Sequence, residues 1–472
     1  MMKKSSSPAR RALHAIAAAV GTFSLVLFVA PSSIHTLSAA DPAAAGTTAR
    51  RSLASFDTMV ERSARQMMEE GRRIFRFDTF GDEVYWTDVL GLNRAVAGEK
   101  NGGVGAGVSP KAALELGLKV DMDALPADLV TRIKAGAVNL DDPATTLALI
   151  KLNAVVGVVG TTDTRGNVSR VGLTCAVCHS TVDDAFSPGI GHRLDGFGNR
   201  DLNVGAIVAA TPGVGAIAKV LNVDLATVKK VLAAWGPGKF DAELDKDGKG
   251  FRPDGKTAAT IIPNAFGLAG VNNHTWTGAW GNVTYWNAYV AATELKGKGT
   301  FYDPRLNDPK KYPVSARTGA WNTRGSPDMI TSKLAALQFY QLAIPAPPAP
   351  AGTFDASAAT RGRALFEGKA RCAGCHVPPL FTEPGWNLHT AKEIGIDDFQ
   401  ASRSPDNRYR TAPLRGLWTY MKGAGPGATG RGFYHDGRFS DLEQVIRHYD
   451  RLFSLGLSET EVKDLAQYLR SL

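Results

Sequence analysis

Two pentapeptides constrain this chain more than anything else in it: Cys175-Ala-Val-Cys178-His179 and Cys372-Ala-Gly-Cys375-His376. Cys-x-x-Cys-His is the attachment signature of a c-type haem. The spacing has a chemical reason. Two thiols three residues apart can each add to a haem vinyl group, and the adjacent imidazole then falls under the iron as proximal ligand. A zinc site or a redox dithiol would leave the following histidine unexplained, twice. The two motifs use all four cysteines of the chain, so no disulfide is available. The expected cofactors are two covalently bound c-type haems, held by Cys175, Cys178, His179, Cys372, Cys375 and His376, with His179 and His376 on the irons.

The N-terminus agrees with that chemistry. Lys3, Lys4, Arg10 and Arg11 precede an apolar stretch from Ala12 to Ala30, and Ser38-Ala39-Ala40 offers a small-residue cleavage site. Residues 1–40 therefore read as a signal peptide, and the chain as periplasmic or secreted. The apolar run is also about long enough to stay as a membrane anchor, which is the alternative. Removing the segment takes four positive and no acidic side chains, so the net charge of +9 falls to +5. A mildly basic surface of this kind suits an anionic redox partner. Nothing in it reads as a nucleic-acid stripe. Some 430 remaining residues can bury a sizeable core and form two domains.

A helical pattern through Val60 to Phe75 ends in Gly71-Arg-Arg-Ile-Phe75, and the cadence returns in Gly362-Arg-Ala-Leu-Phe366, six residues before the second motif. This is an internal repeat of opening helix and haem motif. The halves are unequal, because 100 residues separate Phe75 from Cys175. Residues 141–157 follow an apolar helical pattern that brings the chain to the first motif. From Trp235 to Asp303 the sequence is loop-rich and dense in tryptophan. Asp241, Glu243, Asp245 and Asp247-Gly248 could supply oxygen ligands to calcium, but the loop lacks the bidentate glutamate of an EF-hand. A solvated acidic loop is the preferred reading, with calcium as the alternative.

The proline-rich residues 345–352 make a stiff linker, so the expected domains are 41–344, with insertions, and 353–472. The second has the outline of a class I cytochrome c. Ser458 and Glu461 form a capping box, and Val462, Leu465, Leu469 and Leu472 make an apolar stripe that packs across the opening helix carrying Ala364 and Phe366. The expected fold class is mainly α, with two class I cytochrome c-like haem domains and long loop-rich insertions in the first.

The sixth iron ligands decide what such a protein can do. Beyond the proximal pair and the signal segment the histidines are His192, His274, His389, His435 and His448. On a helix from Asp441 to Leu452, residues Leu442, Val445, Ile446, Tyr449 and Leu452 share one face. Tyr449 sits in the stripe and His448 lies about 100° away, so Tyr449 is the better-placed metal ligand. An ordinary core tyrosine is the competing reading.

The widely spaced motifs, Ala412-Pro-Leu-Arg-Gly416 and Tyr434-His-Asp-Gly-Arg438 resemble the bacterial di-haem cytochrome c peroxidase superfamily, which includes the relatives of the methylamine-utilisation di-haem enzyme. The resemblance covers residues 353–472. It implies a cofactor-binding role for His435, in the family's His-Asp-Gly loop. It also implies iron ligation at Tyr449, where peroxidases carry methionine and the methylamine-utilisation branch carries tyrosine.

The first half resembles the secreted di-haem rubber oxygenases through Phe75-Arg-Phe-Asp-Thr-Phe-Gly-Asp-Glu83, Trp235-Gly-Pro-Gly238 and Trp280-Gly-Asn-Val-Thr-Tyr-Trp286. That resemblance implies catalytic roles for Trp286, between the haems, and Phe301, over the open face of the first haem. Core packing is the plainer reading of both. Two departures limit the transfer. The distal histidine of the rubber oxygenases lies beyond Leu472, and the distal histidine of the peroxidases is replaced by Asp195, with His192 as the local candidate.

The sequence thus points to an exported di-haem oxidoreductase. One haem would perform dioxygen or hydrogen peroxide chemistry, and the other would exchange electrons with a small redox protein or a quinol-linked donor or acceptor. Peroxide cleavage wants a polar acid/base residue above the iron, whereas dioxygen binding tolerates an apolar lid. A plain electron-transfer cytochrome c is the alternative.

Overall fold

A computed structural model describes residues 42–385, 387–428 and 430–472, with side chains from residue 55 onwards. The signal segment 1–40 lies outside the described residues. Helices carry the architecture, and the described strands pair only as short two-stranded ladders.

The repeated Gly-Arg-x-x-Phe cadence is a helix-crossing device used twice. Helix Pro42–Phe77 meets helix Leu334–Ala343 at Gly71, and helix Ala356–Glu367 meets the last helix, Glu459–Ser471, at Gly362. A Cβ at Gly71 would stand 2.0 Å from the Ala336 carbonyl oxygen, and one at Gly362 would stand 2.1 Å from that of Asp464. Only glycine lets the backbones approach so closely. Four residues further along each partner helix a tyrosine meets the phenylalanine of the cadence edge-on. The ring centroids are 5.6 Å apart for Phe75–Tyr340 and 5.2 Å for Phe366–Tyr468. The first half therefore has a closing helix as well, within Leu334–Ala343, which the sequence did not reveal.

The last helix follows its sequence signals. Ser458 and Glu461 close the capping box, and Val462, Leu465 and Leu469 are buried. Ala364 is exposed, so the crossing is made by Gly362 and Phe366 and not by Ala364. The stretch 141–157 is only partly helical. Asp142 caps a helix Pro143–Lys151, and a hairpin of Val158–Thr162 and Val168–Leu173 then leads to Cys175. Residues 344–350 have neither helix nor strand. They are not free, since Trp418 Nε1 donates to Pro347 O (3.1 Å) and Ala346 and Ala349 pack against Phe197, Phe266 and Trp418.

The acidic loop is buried rather than solvated. Asp241, Glu243 and Asp247 are at most 6% exposed. Arg403 arrives from the second half and replaces water: its Nε donates to Asp247 Oδ2 (2.8 Å) and its Nη2 lies 2.9 Å from Asp241 Oδ1. Gln400 Nε2 donates to Glu243 Oε2 (3.1 Å), and Lys296 Nζ to Asp245 Oδ2 (2.9 Å). These carboxylates are ligands of cationic and amide side chains.

Replacing Arg403 with methionine leaves two buried carboxylates without a counter-charge. The expected loss is about 3–5 kcal/mol, read as a lower denaturation midpoint of the haem-loaded protein. An unchanged midpoint would show that water already shares the site.

Candidate haem sites

Each motif opens onto its own cavity. The first, of about 360 Å³, is lined by Cys175, Cys178 and His179 with apolar walls that include Trp86, Ile150 and Leu295. The second, of about 650 Å³, is lined by Cys372, Cys375 and His376 with Phe366, Ile446 and Leu465 among its walls. Pro263, Asn264, Leu268, Thr275, Trp276 and Arg410 line both. The two sites are neighbours with a common wall.

The motif side chains are held in the form that a haem needs. His179 Nδ1 lies 3.2 Å from Pro263 O, and His376 Nδ1 lies 3.1 Å from Phe381 O. A carbonyl can only accept, so Nδ1 carries the hydrogen and Nε2 keeps a lone pair for iron. Burial lowers both imidazoles, His179 to about 4, so each is neutral at neutral pH. Burial pushes the Cys175 and Cys178 thiols up to about 12 and Cys372 to about 11. A redox dithiol or a zinc site needs accessible thiolate, and these apolar walls oppose it. Thioether attachment of a flat apolar macrocycle fits the donor set.

The second cavity brings together Tyr449, Tyr434, His435 and His389. Tyr434 adopts φ of 69°, a conformation that costs a bulky residue energy. His435 is buried, stacks on Tyr409 at 5.3 Å, and has no partner for Nε2. Its neighbour Asp436 is gripped by Arg438 and Arg252, which fixes the loop. His448 does not line the cavity, and its Nε2 is 2.8 Å from Ile394 O.

In the first half, Trp286 lines the first cavity and stacks on Tyr289 at 5.1 Å, but it does not reach the second cavity. The tryptophan in the common wall is Trp276, whose Nε1 donates to Ile261 O (3.0 Å). Phe301 lines neither cavity. Its strand, Thr300–Tyr302, pairs with Asn322–Arg324, and the ring packs edge-on against Tyr285 (5.7 Å) and Tyr289 (5.4 Å) behind the cavity. His192 is half exposed and paired with Asp123 (2.9 Å), away from both cavities. Asp195 is a structural hub that accepts from Arg76 Nε (2.6 Å), Ser180 Oγ (2.7 Å) and Tyr340 Oη (2.6 Å).

Two residues of the first cavity were not singled out by sequence. His274 is 5% exposed, donates from Nε2 to Val271 O (3.0 Å), and leaves Nδ1 without a partner. The carbonyl requires hydrogen on Nε2, so Nδ1 holds a lone pair. Glu294 ends a π-helical turn, Val290–Glu294, and its buried Oε1 has no partner. Burial and the nearby Asp245 charge hold its carboxyl well above the usual range, which favours the protonated form. The available sequence signal was a single acid closing the apolar run Val290-Ala-Ala-Thr-Glu294.

The double substitution Cys175→Ala/Cys178→Ala should leave one covalent haem, on the His376 side, by mass spectrometry of the acid-extracted chain. Retention of two would contradict the attachment.

No family model matches the chain. The chain is 33% identical over 130 residues to the methylamine utilization protein MauG of Methylorubrum extorquens, a match covering 24% of this chain and 34% of that protein. The matched portion thus spans about a third of that relative's length. Among solved structures, hydrazine synthase of Kuenenia stuttgartiensis aligns with TM-score 0.29 at 18% identity, over 48% of this chain and 76% of that one. A MauG-like protein associated with microbial copper homeostasis aligns with TM-score 0.30 at 16% identity, over 47% and 76%. Over those 130 residues the chain is similar to MauG, and it carries two cavities each lined by a Cys-x-x-Cys-His motif.

Proposed function

We propose that this protein is an exported di-haem c-type oxidoreductase in which the His179 cavity performs peroxide chemistry and the His376 cavity handles electrons. The observation that carries the reading is the Glu294 carboxyl in the wall of the first cavity, its buried Oε1 without a partner and its protonated form favoured by burial. Haem held by Cys175, Cys178 and His179 supplies the electrons for breaking an O–O bond. The Pro263 carbonyl orients His179 through Nδ1. Glu294 gives its proton to one peroxide oxygen, so that this oxygen leaves as water and not as a costly anion. With Phe301 behind the cavity, an acid takes the place of an apolar lid, which favours hydrogen peroxide over dioxygen as the oxidant.

In this reading Trp276, and not Trp286, is the relay between the haems, because it belongs to both cavity walls. Arg410, buried with Nε unpartnered in the same wall, would receive haem propionates. Tyr449 is the proposed ligand that closes the second iron, and an anionic oxygen donor favours the ferric state. The twin helix crossings support two cytochrome c-like domains. The signal segment supports export, and among the described residues no helix is long and apolar enough to cross a membrane. The partner is a small redox protein. Calcium is not proposed at Asp241–Asp247, where Arg403 holds the carboxylates.

A second reading rests on His274. Its free Nδ1 faces the first cavity and could close that iron, making the protein an electron carrier. Peroxide reactivity separates the two. Glu294→Gln should slow the reaction of the di-haem protein with hydrogen peroxide by about 10²-fold or more, with unchanged haem content. A carrier would react poorly with peroxide in both forms.

A further inference from the structure

Glu294 can act repeatedly only if its proton is replaced, and the cavity walls around it are apolar. We propose that Asp245 and Tyr289, steadied by Lys296, form the path by which protons reach Glu294 from solvent. The inference rests on the role of Glu294 proposed above and adds the residues that resupply it.

The geometry runs from surface to cavity. The Asp245 side chain is 20% exposed, and it is joined at 2.9 Å to Lys296, which lines the first cavity. Lys296 follows the π-helical turn of Glu294 with φ of 63°, an uncommon conformation for lysine, and directs its ammonium to Asp245. The Tyr289 hydroxyl is 3.3 Å from Asp245 Oδ1 and 3.0 Å from Ala242 O, and it also interacts with the Glu294 carboxyl. This hydroxyl thus lies between Asp245 and Glu294.

Each transfer is a proton exchange between oxygens. Asp245 takes a proton from water. Its O–H bond breaks as a new one forms on the Tyr289 oxygen, and the old Tyr289 O–H bond breaks as one forms on Glu294. One proton moves inward and no electron is transferred. The charged and titratable groups facing Glu294 are Asp245, Lys246, Lys296, Tyr289, Tyr85 and Cys178.

Tyr289 also stacks with Trp286 and Trp280, which would suit an electron relay, but Lys246 opposes that role. Its ammonium is buried without a hydrogen bond, 3.8 Å from the Trp280 ring, 4.1 Å from Tyr289 and 5.6 Å from Trp286. Removing an electron from either indole would set a second positive charge beside the first in a dry interior. Trp280 and Trp286 are therefore poor oxidation sites, and Tyr289 has no indole partner suited to relaying electrons.

The test is infrared spectroscopy of the di-haem protein transferred into D2O, following the carbonyl stretches of its protonated carboxyls. Glu294→Gln should remove one band and so assign it, while the band of Asp82, whose carboxyl burial pushes up to about 9, stays. Tyr289→Phe and Asp245→Asn should keep the Glu294 band and slow its deuterium shift about tenfold, less than the ~10²–10⁴-fold effect of losing an acid itself, because water can stand in for a missing hydroxyl. Exchange at the wild-type rate in Tyr289→Phe would overturn the path, as would a Glu294→Gln spectrum that has lost no band. A peroxide-induced tyrosyl radical lost in Tyr289→Phe, with exchange unchanged, would make Tyr289 an electron relay instead. If exchange slows as expected while Glu294→Gln still reacts fully with peroxide, the path stands and the peroxidase reading fails.

Discussion

Arg403 is buried to its last nitrogen between Asp241 and Asp247, and much of the first cavity depends on where it holds them. Desolvating a guanidinium and two carboxylates is costly unless their hydrogen bonds are well made. Arg403 also donates to Ala258 O (3.2 Å) and Lys249 O (3.2 Å), so its fork is satisfied on several sides. The segment it fixes carries Ala242, which accepts from Tyr289, then Asp245 and Lys246, while Glu243 and Leu244 line the first cavity. A residue of the second half thus sets the electrostatics around the first haem site. Arg200 works in the opposite direction. It donates to Thr419 O (2.9 Å) and Asn264 Oδ1 (2.8 Å) and lies 3.6 Å over the Tyr420 ring. Asn264 is part of the wall common to both cavities, so the separation of the two sites is fixed from either side.

The cavities share that wall and a histidine pinned by a backbone carbonyl, and they differ in what else faces in. The first presents an acid with a free oxygen, a neutral imidazole and the Trp286 ring, 5.6 Å from the buried Lys246 ammonium. The second presents Tyr409, Tyr420, Tyr434 and Tyr449 and the stacked His435. Two motifs of identical spacing thus meet unequal surroundings, and it is through ligand, hydrogen bond and burial that a protein tunes a haem.

What the sequence made legible was local. The motif spacing, the capping box and the stripe on the last helix depend on residues within a few positions of one another, and they appear as read. The face assigned to Tyr449 and denied to His448 followed from helical periodicity, because Leu442–Phe453 is a regular helix. What was not legible required residues far apart to meet. The acidic segment read as solvated because nothing near it announces Arg403. Trp276 lines both cavities and Trp286 only the first, which no local spacing announces, because only the folded wall tells which indole touches both. Glu294 escaped because a π turn departs from the 3.6-residue period on which a face assignment rests. The Gly71 cadence was visible, yet its partner at Ala336 and Tyr340 was not, since a glycine announces close approach without naming what approaches.

The central claim is that one haem site is open and served by an acid while the other is closed by a protein ligand. Electron paramagnetic resonance of the ferric di-haem protein tests it most directly. The account predicts one high-spin signal, from the His179 site, and one low-spin signal that changes in Tyr449→Phe. Two low-spin signals, with the one from the His179 site becoming high-spin in His274→Ala, would contradict it and make the protein a carrier of electrons.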